Sequence, residues 1–244
     1  MKIIAILPVY NEGRSIHDLI LGYGKLAEKV SAPIRLIVVN DCSADDSERW
    51  IEEARAKVPL LQLDYIRHPK NMGLGGALNT GLAALGDLDD DDVVVTMDGD
   101  NTHNPLLIRQ MLDKMDEGAD LVIASRYCEQ SRITGLSFFR LMLSWGARYI
   151  YALRWNLPGV RDYTCNFRAY RGAVMREFLR KTGPAPYLQQ QGFACAGELL
   201  RGTSAVASIA VEVPMILRYD NKFEQSNMRV MKTILNTLSM LARS

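Results

Sequence analysis

Short apolar runs rich in β-branched residues alternate with stretches of helical period through the first half of the chain, and that alternation restricts the fold more than any other feature. The runs are Ile3–Leu7, Arg35–Val39, Leu61–Ile66, Val93–Met97 and Leu121–Ala124. This is the arrangement expected of a mostly parallel sheet with helices on its faces. Joining the strands in parallel requires a crossover between each pair, which the intervening segments supply as helices. Helices are predicted at about Ser15–Val30, Asp45–Val58, Gly75–Leu85 and Pro105–Glu117, the last opened by Asn104 as a cap with Pro105 in its first turn. The expected fold class is α/β, a Rossmann-like, mostly parallel sheet flanked by helices. At 244 residues with 48% hydrophobic content, one large domain is the expectation.

On sheets of this kind ligands collect at the carboxyl ends of the strands. Four polar clusters fall there: Tyr10-Asn11-Glu12, Asn40-Asp41-Cys42-Ser43, Asp98-Gly99-Asp100 and Ser125-Arg126. Two carboxylates one residue apart at a strand end can share a divalent cation, and a hard ion such as Mg²⁺ or Mn²⁺ prefers oxygen ligands, with water and substrate phosphates completing its shell. Asp-x-Asp is common in solvated turns, so the triplet gains its meaning from the neighbouring clusters. Tyr10 offers a ring beside a base, Asp41 can accept hydrogen bonds from base N–H groups, and Glu12 can do so from a ribose hydroxyl. Arg126 can add positive charge near a diphosphate. His103 could orient the metal site, although a lone histidine after a turn is more often a structural hydrogen-bonder. Ser43 reads as a helix cap. The acidic run Asp87 to Asp92 precedes its strand, at the end away from the crevice, and reads as a solvated loop. Gly73, Gly75, Gly76 and Gly81 match neither G-x-x-x-x-G-K-[ST] nor a G-x-G-x-x-G after a first strand, so they are expected to let a helix pack closely instead.

Charge excludes some partners. Lys and Arg number 29 against 28 Asp and Glu, a net charge of +1, so nothing in the overall balance favours nucleic acid. Cys42, Cys128, Cys165 and Cys195 stand far apart without a C-x-x-C pair, which fits reduced thiols in a cytoplasmic protein. The opening Met1 to Pro8 reads as a first strand, too short in its apolar stretch for a signal peptide. No stretch reaches the roughly 18 uninterrupted apolar residues of a spanning helix. The nearest approach, Leu136 to Trp155, is broken by Arg140, Ser144 and Arg148, so a soluble or peripheral protein is expected.

After Tyr127 the pattern changes to an aromatic and apolar segment with interspersed arginines, a loop region over Leu157–Arg171, two helices and a strand at about Ala207–Leu217. Residues 1–127 form the nucleotide-binding half of this reading and 128–244 the half for the second substrate. The tail from Met228 to Ala242 carries an apolar helical stripe suited to packing on the body, to a second subunit in a homo-oligomer, or to lying in a membrane interface.

Taken in order and spacing, Leu7-Pro8-Val9-Tyr10-Asn11-Glu12, Val39-Asn40-Asp41-Cys42-Ser43-Ala44-Asp45, Asn71-Met72-Gly73 and Asp98-Gly99-Asp100 resemble the nucleotide-sugar half of a family 2 glycosyltransferase with the GT-A fold. The second half is similar to the dolichol-phosphate mannose synthase branch through Ser125-Arg126-Tyr127, Asp162 to Arg171, Gly192-Phe193 with Glu198, and Val213-Pro214 leading to Arg218. The resemblance implies inverting transfer of a hexose from a nucleoside diphosphate sugar, GDP-mannose or a UDP-sugar, to a polyprenyl or dolichyl phosphate. By position, Pro8, Tyr10, Glu12, Val39 and Asp41 would hold the nucleoside. Asp98 and Asp100, flanking Gly99, would hold the diphosphate and the Mg²⁺ or Mn²⁺. Arg126 and Arg218 would meet phosphates, and Arg140, Arg168 and Glu198 would face the acceptor. Three positions depart from the family pattern: Asn40 for Asp, Thr102 for a metal-facing Gln, and Asn227 for a phosphate-contacting Lys, with Lys222 close by.

A phosphate acceptor is already ionised near neutral pH, whereas a sugar hydroxyl needs a positioned base. In the Gly192–Leu200 region Glu198 is the one acidic candidate for that role. Transfer to a soluble or protein-bound hydroxyl, with Glu198 as base, is the alternative reaction. A non-catalytic nucleotide-sugar binder is the alternative outside the enzymes.

Overall fold

The computed structural model describes residues 1–135 and 138–218, with backbone alone over 138–144. The expected alternation is present as β1 (Ile3–Val9), α1 (Arg14–Ala27), β2 (Ile34–Asn40), α2 (Ser47–Lys57), β3 (Gln62–Arg67), α3 (Gly73–Ala83) and β4 (Val93–Thr96). A 3-10 turn at Pro105–Leu107, capped by Asn104 Oδ1 on the Leu106 N–H at 3.0 Å, leads into α4 (Ile108–Asp116) and β5 (Leu121–Ser125). There follow β6 (Arg132–Thr134), α5 (Phe138–Trp155), β7 (Arg168–Arg171), α6 (Gly172–Thr182), α7 (Ala194–Ser204), β8 (Ala210–Pro214) and β9 (Ile216–Arg218).

The main sheet has the order β3-β2-β1-β4-β7-β5-β8, all parallel except β7, which runs antiparallel between β4 and β5. One face carries Ile3, Ala5 and Leu7 of β1 against α1, α2 and α4; the other carries Ile4 and Ile6 against α3, α6 and α7. Every residue of β1 is buried, as a strand covered on both faces requires. At Gly81 a Cβ would come within 2.3 Å of Ile6 Cγ2, so the glycine lets α3 sit directly on the sheet, in line with the close-packing expectation.

Three expectations are corrected. The loop expected over Leu157–Arg171 ends in β7, a strand hidden by its charged ends, Arg168 and Arg171. Ala207–Leu217 is not one strand: β8 pairs with β5 and, past Met215, β9 pairs with β6 in a separate two-stranded sheet. Asp92 closes the acidic run but is 1% exposed, accepting from the backbone N–H groups of Lys2 at 2.8 Å and Asp89 at 2.9 Å, which fastens the start of β1 to the loop before β4. The tail helix expected at Met228 to Ala242, with Lys222 and Asn227, lies outside the described residues.

Candidate active site

The carboxyl ends of β1, β2, β4 and β5 and the amino end of the antiparallel β7 open on the same edge of the sheet, and the polar clusters gather there. Asp98-Gly99-Asp100 follows β4 and lies against the end of β1. A Cβ on Gly99 would stand 2.5 Å from the Pro8 carbonyl oxygen and 3.2 Å from Val9 Cγ2. The residue between the two carboxylates is therefore fixed as glycine by packing, and both acids, half-buried, project at the crevice.

Each carboxylate is held. Asn166 Nδ2 donates to Asp98 Oδ1 at 3.0 Å. Thr102 donates to Asp100 Oδ1 from its N–H at 3.1 Å and its hydroxyl at 2.7 Å. The Thr102 carbonyl accepts from the Arg218 N–H at 3.0 Å, which brings the end of β9 and the exposed Arg218 side chain beside the acidic pair. His103 is buried, its Nδ1 3.2 Å from the Thr102 hydroxyl and its ring edge-on to Phe167. Burial lowers its pKa, only partly offset by Asp98 and Asp100, so the ring is neutral at physiological pH. Cys165 Sγ lies 3.9 Å from His103 Nε2, and burial pushes that thiol up to about 12, which keeps it protonated and unreactive.

Among the described residues no group of three or more His, Cys, Asp and Glu is gathered to hold a metal ion. The donors of the Asp98–Asp100 pair are carboxylate oxygens of the type Mg²⁺ and Mn²⁺ take when most of the remaining shell is phosphate and water, so the residues fit such an ion.

At the end of β5, Arg126 is bound to Asp162: its N–H, Nε and an Nη donate to the carboxylate at 3.0, 2.8 and 2.6 Å. The same carboxylate accepts from the N–H groups of Thr164 at 3.3 Å and Cys165 at 3.0 Å. Burial works against both charges, yet the pairing outweighs it, holding Asp162 below and Arg126 well above their ordinary values.

A model of the family described as glycosyl transferase family 2 matches residues 4–179. The chain belongs to that family. It is 28% identical over 215 residues to an undecaprenyl-phosphate mannosyltransferase of Micrococcus luteus, covering 88% of this chain and 83% of that protein. It is 31% identical over 162 residues to a dolichol-phosphate mannosyltransferase of Pyrococcus furiosus, covering 66% of this chain but 43% of that protein, so it spans less than half of that relative. The fold resembles that of glucosyl-3-phosphoglycerate synthase from Mycobacterium tuberculosis, solved in complex with Mn²⁺, UDP and glucosyl-3-phosphoglycerate, with a TM-score of 0.64 at 21% identity over 99% of this chain and 77% of that one. The fold is thus GT-A and the chain a glycosyltransferase.

Several of the expected site residues of this family 2 glycosyltransferase also make structural contacts. Asp41, 3% exposed, accepts from the N–H groups of Met72 and Gly73, both at 2.8 Å, and pairs with His68 Nδ1 at 2.7 Å. Its carboxylate secures the start of α3. His68 Nε2 in turn meets the Thr80 hydroxyl at 2.8 Å. Val39 is fully buried in the core, so its side chain does not reach a nucleoside. Arg126 is paired with Asp162, and together they shape the 162–165 loop. Arg168, 0% exposed, donates to the carbonyls of Ala196 and Tyr163, which removes it from any acceptor. Glu198 accepts from the N–H groups of Gln189 at 3.0 Å and Gln190 at 2.9 Å, clamping a loop whose carbonyls at Gln190 and Gln191 rest on Gly75 and Gly73. The Arg140 side chain lies outside the described residues.

Pro8 contributes its carbonyl to the seat of Gly99, Tyr10 stands 36% exposed at the crevice rim, and Glu12 is largely buried behind it. The Asn40 amide uses both ends, donating to the Tyr65 hydroxyl at 2.9 Å and accepting from the Ser43 N–H at 2.9 Å, which an aspartate could not do. Asn166, Asp162 and His68 are not evident as site residues from the sequence. Asp162 and Asn166 sit within the motif that carried the resemblance, and that proximity was the available signal.

Proposed function

We propose that this glycosyltransferase moves a hexose, with inversion, from GDP-mannose or a UDP-sugar to a polyprenyl phosphate at the cytoplasmic membrane face, using Mg²⁺ or Mn²⁺ held by Asp98 and Asp100. The observation that carries the choice of acceptor is the engagement of Glu198. Its carboxylate is occupied by backbone N–H groups of the 189–190 loop, so the one acidic side chain near that position is not poised to deprotonate a hydroxyl. A phosphate oxygen needs no such base. The named activities of the Micrococcus and Pyrococcus relatives support the same acceptor class.

In this reading residues 1–127 bind the donor and 128–244 the acceptor, the two halves joined by one continuous sheet. Tyr10 and Glu12 border the nucleoside. A bound divalent ion would offset negative charge on the departing diphosphate. Asp98 and Asp100 orient that phosphate end through their seat on β1, and Arg218 lies beside Thr102 to meet a phosphate. Fixing donor and acceptor in line lowers the entropic part of the barrier.

No helix among the described residues is long and apolar enough to cross a membrane. The outer face of α5 exposes Trp145, Tyr149, Ile150 and Leu153, with Arg148 stacked over the rings of Tyr127 and Trp145 at 4.8 and 5.2 Å. Exposed aromatics beside a cation suit the headgroup level of a bilayer, where a lipid phosphate would be presented. The deciding experiment is a donor panel assayed with Mn²⁺ or Mg²⁺, with and without polyprenyl phosphate, reading product mass. A lipid-linked hexose is expected; transfer to soluble acceptors alone would refute the proposal.

A further inference from the structure

Asn166 lies just before β7. The antiparallel register pairs Thr96 of β4 with Arg168, and continued by two residues it sets Asn166 opposite Asp98. The residue is tied to the β4 segment twice. The Thr96 hydroxyl donates to its carbonyl at 2.6 Å, and its own Nδ2 donates to Asp98 Oδ1 at 3.0 Å. A carboxylate only accepts, so the amide must turn its nitrogen to Asp98 and its oxygen away. That Oδ1 is buried and, among the described residues, has no hydrogen-bond partner. An orphaned buried acceptor lowers stability. Among the described residues, the one polar contact the amide side chain makes is to a residue of the acidic pair.

We propose that Asn166 is a positioning residue for Asp98, holding its carboxylate in the rotamer that ligates a divalent ion together with Asp100. The proposal rests on the metal assignment above. Groups that orient metal-ligating side chains from behind set affinity at the tenfold to hundredfold level.

The test is a Mn²⁺ titration followed by the EPR signal of the free ion, with GDP or UDP present, on wild type, Asn166→Ala and Asn166→Ser, alongside thermal melts. Both variants are expected to bind Mn²⁺ about 10–100-fold more weakly while still melting cooperatively as folded chains. The serine variant keeps a polar side chain too short to bridge to Asp98, which guards against a folding defect in the alanine one. Unchanged Mn²⁺ affinity with lowered melting temperature would assign Asn166 a purely structural role and overturn the proposal. Absence of Mn²⁺ binding by wild type with either nucleotide would sink the metal assignment itself, a separate result from a wild type that binds and variants that match it.

Discussion

Replacing Asp162 with alanine removes the acceptor of three of the hydrogen bonds that join Arg126 to the 162–165 loop and leaves the one to the Thr164 hydroxyl. The Asp162 side chain is 0% exposed and that of Arg126 14% exposed, so water cannot take the lost partner's place. Breaking a buried pair from one side costs about 3–5 kcal/mol, most of it from the charge left behind. At about 2–4 °C per kcal/mol for a domain of this size, the melting temperature should drop by roughly 6–20 °C. The double variant Arg126→Met with Asp162→Leu carries no stranded charge and should recover a large part of that loss. The pH dependence has a definite sign. The Asp162 carboxyl titrates lower in the folded chain than in the unfolded one, so its contribution is fully present above the unfolded value of about 3.9 and is lost as pH falls through the folded value. Denaturant melts of wild type and Asp162→Asn between neutral and acid pH would read both effects, the wild type losing its advantage in the acid range. Equal midpoints for wild type and Asp162→Ala at neutral pH, or a double variant as unstable as the summed singles, would refute the reasoning.

Gly99→Ala should displace the acidic turn from the Pro8 carbonyl, at a stability cost of about 1–3 kcal/mol, and weaken Mn²⁺-nucleotide binding measured by calorimetry; wild-type binding would show that the close approach is not required. Asp100→Ala should slow sugar transfer by about 10²–10³-fold, the scale of a lost electrostatic clamp, and wild-type transfer in excess chelator would argue against a metal. Glu198→Gln should keep transfer to polyprenyl phosphate within about tenfold of wild type, because a phosphate acceptor needs no base; loss of turnover in a folded variant would restore Glu198 as the base.

β1, β2, β4 and β5 were legible because each is a local apolar run whose burial on both faces is written in consecutive residues, and their order with α1 to α4 follows from the need for crossovers. That order places Asp98-Gly99-Asp100, Tyr10 and Arg126 at one edge of the sheet. β7 was not legible. Arg-Ala-Tyr-Arg becomes a central strand only because β4 and β5 offer ladders on both sides and the Ala196 and Tyr163 carbonyls receive the Arg168 guanidinium, and none of those partners is near it in sequence.

The same distinction separates the charged residues. Sequence determined which acids and bases this chain carries, which of them end strands, and that an acidic pair flanks a glycine beside β1. Tertiary structure decided how they are used: Asp41 on the start of α3, Glu198 on the 189–190 loop, Arg126 on Asp162, and Asn166 on Asp98. A formal charge is a property of the residue, but whether it can act on a ligand depends on the hydrogen bonds already made around it, and those come from segments that only folding brings together.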